Sequence, residues 1–219
     1  MNYTLIWSDI KNLRLEIKRD GSLVAYAPKG MSRREVDAFV KEKSAWIEKH
    51  RVPAPKIAAP PETVLFLGRE YPAVSGGDAF CFDNAAFHIP DGISPEAQIE
   101  GVKELYRRLG KPYMAEKLRY WADKMNLPRP KDPKLTGAKT RWGSCGGKNK
   151  NSICFSLLLM AAPERCIDYV AVHELAHTVY FNHGDDFWRL VEKYVPDRKN
   201  LKKILEEYGR KLTAQGFYN

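Results

Sequence analysis

Long apolar stretches are missing from this chain: no run approaches the ~18 residues of a membrane-spanning helix, so a transmembrane reading is excluded. Cysteine is scarce. Cys81, Cys145, Cys154 and Cys166 are the only four in 219 residues and form no C-x-x-C pair, which argues against a disulfide framework and for free thiols in a reducing compartment. The opening MNYTLIWSDIKN has only Leu5, Ile6 and Trp7 as an unbroken apolar run and lacks the charged front of a secretory signal, so a cytoplasmic location is expected. Internal repeats are absent, and the one biased tract is RVPAPKIAAPPE. What remains is ordinary globular composition, 44% hydrophobic and 29% charged. At 25.1 kDa the chain can build a core without a structural metal, so a metal here would serve chemistry.

Charge is distributed unevenly. The whole chain carries +9, but residues 101–150 alone carry +10. Such a window can attract a polyanion, and Tyr106, Tyr113, Tyr120, Trp121 and Trp142 lie within it. The helical spacing of Leu105, Leu109, Tyr113 and Trp121 turns many of these aromatics inward, so only weak, sequence-independent contact with nucleic acid is expected.

Alternation of Leu13, Leu15 and Ile17, an Asp20-Gly21 turn, and Leu23, Ala25 and Ala27 on the return predict a β-hairpin. Ser32 and Glu35 form a capping box for a helix over 33–49, with Val36, Phe39, Val40, Trp46 and Ile47 at helical spacing. Prolines 53, 55, 60 and 61 mark an extended connector, giving an N-terminal lobe at 1–52, a linker at 53–62 and a main body at 63–219. In the body, Val64 to Val74 and two shorter segments read as strands, and Ser94-Pro95-Glu96 caps a helix that Gly110 and Pro112 should kink or split. Residues 135–142 and 152–160 read as strands around a Gly-Lys-Asn turn, and Pro163-Glu164 opens the next helix.

That helix carries His173-Glu174-Leu175-Ala176-His177, an H-E-x-x-H motif. Residues four apart on an α-helix lie one turn above each other, so both imidazoles can reach one metal ion with Glu174 beside it. Ile167, Val170, Val172, Leu175 and Val179 make the helix apolar on most sides; two buried imidazoles and a carboxylate need partners, and Zn²⁺ supplies them. His183, six residues on, is the nearest third ligand, with a later carboxylate such as Glu192 as the alternative. The spacing matches H-E-x-x-H-x-x-G-x-x-H except that Tyr180 stands at the Gly position. Asn182-His183-Gly184 should end the helix, and Asp185 or Asp186 should cap another that begins at Phe187-Trp188.

Four segments in order, R-W-G-S-C (Arg141 to Cys145), L-L-M-A-A-P (Leu158 to Pro163), I-D-Y-V-A-V-H-E-L-A-H (Ile167 to His177) and N-H-G-D-D-F-W (Asn182 to Trp188), resemble the YgjP-like metal-dependent hydrolases. These are small relatives of the SprT/Spartan and WLM zinc metallopeptidases. The resemblance implies an α+β fold: a zincin-like metallopeptidase core of a small sheet plus active-site helix, with an N-terminal strand-rich lobe. It implies a zinc hydrolase acting on a peptide or protein, with His173, His177 and His183 as metal ligands and Glu174 as general base. It also places a substrate-pairing sheet edge at Ile153 to Met160, while Ser156 departs from the Asn more usual in the family. Two other functions remain open, action on DNA-bound protein and hydrolysis of a non-peptide amide. Asp168 is a candidate to orient a ligand imidazole, and Trp142, Cys145, Phe187 and Trp188 read as packing residues.

Overall fold

The computed structural model describes residues 3–17, 22–50, 62–146 and 152–218. Two compact units emerge, Met1–Lys56 with Tyr218–Asn219, and Ile57–Phe217. The Asp20-Gly21 turn and all of the proposed linker but Glu62 lie outside the described residues.

In the first unit, β2 (Arg14–Ile17) and β3 (Leu23–Pro28) are antiparallel, as the alternation predicts. A strand not anticipated, β1 (Thr4–Ser8), pairs with β3 in parallel, giving the order β1-β3-β2. Leu23, Ala25 and Ala27 are buried together with Val36, Val40 and Ile47. The Ser32 side chain accepts from the Glu35 amide, and the Glu35 carboxylate accepts from the Ser32 amide at 2.7 Å, so the capping box is complete. The expected helix over 33–49 is in fact two, α1 (Arg33–Glu42) and α2 (Ser44–His50), with Lys43 between them. That break leaves Ile47 buried and turns Trp46 outward at 42% exposed.

The second unit is built around a long helix. Strands β4 (Thr63–Phe66), β5 (Arg69–Ser75), β6 (Cys81–Phe82) and β7 (Phe87–Ile89) form a sheet in the order β4-β5-β7-β6. Phe66, Phe87 and Tyr106 pack as one aromatic cluster, and the Tyr106 hydroxyl donates to the Leu65 carbonyl. The helix α3 (Pro95–Lys124) starts at a Ser94 cap and runs through Gly110 and Pro112 without dividing. The expected split does not occur, and Gly110 has a packing reason to be there: a Cβ would lie 2.8 Å from Met160 and 2.9 Å from Leu135. Close approach, not helix ending, explains this glycine.

A second sheet carries the functional end. Here β8 (Lys134–Thr136), β9 (Gly143–Gly146) and β10 (Ser152–Ser156) lie in the order β8-β10-β9, with β8 parallel and β9 antiparallel to β10. The expected strand 135–142 is thus mostly loop, W-G-S-C supplies the paired strand, and the expected strand to residue 160 ends at Ser156. Leu157–Ala161 instead form a fully buried 3-10 turn. Ser156 explains the change: its hydroxyl donates to the Ala138 carbonyl at 2.7 Å and accepts from the Leu158 amide, capping the turn.

The turn leads into α4 (Glu164–Ala176), followed by α5 (Asp185–Tyr194) and α6 (Arg198–Ala214). The entry to α4 is clamped by Leu67-Gly68, both in the left-handed region, whose amides donate to the carbonyls of Met160 and Ala161. A Cβ on Gly68 would meet the Pro163 backbone at 2.7 Å. From the other side, Asp168 accepts from Trp121 Nε1 at 2.8 Å and pairs with Lys117 at 3.1 Å, tying α4 to α3. The architecture is α+β. Among the described residues no helix is long and apolar enough to cross a membrane.

Candidate metal centre

Apolar residues on nearly every side of α4, including Ile167, Val170, Val172 and Leu175, bury it and fix where its last turn points. His173 and His177 lie on that turn, with ring centroids 4.9 Å apart. The helix ends at His177, a turn before the Asn182-His183-Gly184 segment expected to close it. Residues 178–184 then fold back, so His183 returns from a loop to face the helix. Its Nε2 lies 3.1 Å from His177 Nε2 and 3.2 Å from His173 Nε2. Asp185 and Asp186 occupy the first turn of α5 and favour its dipole, while the N-cap is Gly184.

His177 Nδ1 donates to the Tyr180 carbonyl at 3.0 Å, which fixes its tautomer and leaves the Nε2 lone pair inward. His173 Nδ1 is buried with no hydrogen-bond partner among the described residues. Burial, reinforced by the neighbouring histidines and Arg198, pushes the His173 pKa down to about 3, and burial also lowers that of His183. These two imidazoles are therefore held neutral. Aromatic rings surround them: Phe187 lies 4.5 to 5.0 Å from all three, and Trp188 stacks on His183 at 5.4 Å and 24°. The Arg198 guanidinium covers Trp188 at 3.8 Å and is held by Glu192 at 2.7 Å. Glu192 is thus engaged with Arg198 and stands outside the histidine cluster. Asp168, facing Trp121 and Lys117, orients none of the three imidazoles.

Glu174 is 5% exposed and opens into a cleft of about 520 Å³ shared by the histidines, β9, Arg141 and Phe181. Burial pushes its pKa up to about 7, opposed first by the Cys145 backbone N–H, which donates to the carboxylate, and then by Arg141. Gly143 makes the room. A Cβ there would sit 2.6 Å from Glu174 Oε1 and 2.8 Å from its Cγ. Sequence reading took W-G-S-C as packing and missed this contact; the available signal was a glycine inside a strand, which marks close approach of another group. Arg141 stood in the R-W-G-S-C segment with no role assigned to it, and Phe181 carried no signal.

The model of the YgjP-like metallopeptidase domain matches residues 11–208. The chain belongs to the YgjP-like metallopeptidase family. Among solved structures, the metallopeptidase zymogen of Pyrococcus abyssi abylysin is 25% identical, with 45% of this chain and 94% of that chain covered and a TM-score of 0.39. No curated protein matches. Membership makes this a metallopeptidase-like hydrolase and implies a metal ion.

The three histidines fit such an ion. Their candidate ligand atoms all lie within 4.8 Å of one another. Tetrahedral ligands at ~2.0–2.1 Å from a zinc ion stand roughly 3.3 Å apart, close to the two separations of 3.1 and 3.2 Å. Three imidazole Nε2 atoms this close crowd lone pairs or protons against one another, and a cation at their centre removes that cost.

The basic stretch is less free than its charge suggests. Lys103, Arg107, Lys117 and Arg129 are paired with Glu100, Glu104, Glu164 and Asp123 respectively, which reduces the field available to a polyanion.

Proposed function

We propose that the protein is a zinc-dependent peptidase in which His173, His177 and His183 hold the ion and Glu174 is the general base. The convergence of three Nε2 atoms beside a buried carboxylate on one open cleft carries this reading. When bound, zinc lowers the pKa of a water toward ~7 and polarises the scissile carbonyl. The Glu174 carboxylate accepts the proton of the attacking water and returns it to the departing amide nitrogen. The Cys145 amide holds that carboxylate in place, and burial keeps competing water away from it. Gly146, with nothing within 4 Å of where a Cβ would stand, leaves that end of β9 open.

The edge that an extended peptide would pair with is β9. The resemblance pointed to Ile153 to Met160, but β10 lies between β8 and β9 and has neighbours on both sides.

Purified protein replete with metal should carry one zinc per chain and cleave unstructured peptides, with chelation abolishing both. Elemental analysis finding no transition metal after repletion would refute the assignment; metal with cleavage only of small non-peptide amides would shift it to that alternative. Gly143→Ala should cut turnover by ~10²-fold, because displacing a reacting group by about 1 Å has that effect. Zinc content and the circular dichroism spectrum should stay as in wild type.

A further inference from the structure

The cleft around Glu174 is asymmetric in chemistry. Among the described residues, Arg141 is the one Lys or Arg that lines the cleft; it is exposed, and no carboxylate is paired with it. It lies two residues before Gly143, where the chain passes Glu174, and close enough to act on that carboxylate electrostatically.

Apolar surface borders the same cleft. Val179, Tyr180 and Phe181, consecutive between His177 and His183, are 42%, 37% and 59% exposed. Phe181 lines the cleft itself, and all three border a shallower depression beside it. Exposed large apolar side chains in a contiguous lip at a cleft mark a binding surface.

We infer that the cleft selects an extended peptide bearing both a carboxylate, bound by Arg141, and a large apolar side chain, seated on the Val179–Phe181 lip. This rests on the reading of the cleft as a peptide site and adds its substrate class. The carboxylate is supplied by an acidic side chain or by the peptide's own C-terminus. A guanidinium meets either bidentately, and Arg141 offers that fork at the mouth of the cleft.

The test separates binding from cleavage. Zinc-loaded Glu174→Gln protein, which keeps the cleft's shape, is titrated with fluorescent peptides that differ in one feature: Glu or Gln, free or amidated C-terminus, Phe or Ser. Losing the recognised carboxylate should weaken binding about tenfold, within the range of hydrogen bonds to charged groups. Whichever arm shows the loss identifies the source. Adding Arg141→Gln should weaken the acidic peptide about tenfold and leave its neutral counterpart unchanged, while Arg141→Lys retains part of the preference. Phe181→Ser should remove the preference for Phe over Ser. Equal effects on acidic and neutral peptides, no effect, or no binding by any peptide would overturn the inference. A defect confined to kcat of the otherwise wild-type enzyme would also overturn it, assigning Arg141 to the reacting carbonyl. Tight binding without cleavage by wild-type protein would instead overturn the peptidase reading and leave the recognition intact.

Discussion

Glu174→Gln should retain zinc at one per chain and lose ~10²–10⁴-fold in kcat on any peptide the wild type cleaves, the usual contribution of general-base assistance. Gln keeps the length of Glu and an acceptor oxygen for the Cys145 amide, so the cleft and the contact with Gly143 are preserved while the basic carboxylate is gone. Substrate binding should change little, placing the loss in turnover and not in KM. Glu174→Ala adds a test of place. It vacates the space that Gly143 is shaped around, so combined with Gly143→Ala it should cost no more than alone, since both act on one carboxylate. A Gln variant that turns over at the wild-type rate would remove Glu174 from the mechanism.

The helix that carries this residue was readable from sequence because its periodicity and its chemistry coincide. Apolar residues from Ile167 to Leu175 require burial, and H-E-x-x-H spacing fixes which polar groups share its last turn. The capping box at Ser32 and the cap at Ser94 were equally legible, being local side chain to backbone bonds. Tertiary packing was not. Gly110 and Pro112 looked like helix breakers, yet α3 runs through both, and the glycine is there because Met160 and Leu135 pack against it. Likewise β1 joins β3 by a parallel pairing that no local turn announces. The residues W-G-S-C gave a strand's alternation no purchase, with two glycines and two small polar or thiol side chains in β9, so their place beside Glu174 emerged only from the fold.

His183 rests on longer-range support than its two partners. It sits in a loop, and where His177 is oriented by the Tyr180 carbonyl, His183 is oriented by the Trp188 ring, itself covered by Arg198 from α6. An outer partner of a metal ligand typically contributes 10–100-fold in metal affinity. His183→Ala should therefore lose more than roughly 100-fold, leaving an enzyme that releases zinc to a chelator and has no measurable activity. Trp188→Ala should fall within that 10–100-fold range, while Trp188→Phe, which still stacks, keeps most of the affinity. Cobalt substitution gives a readout that simple loss of stability would not move: the d–d bands of the Trp188→Ala protein should shift, at a temperature where its circular dichroism is unchanged. Glu192→Ala removes only the carboxylate that holds Arg198 at 2.7 Å, so zinc should be retained. Should Glu192→Ala lose the metal while His183→Ala keeps it, the third ligand would be that carboxylate, and α5 would have to swing its Glu192 face toward His173 when the ion binds.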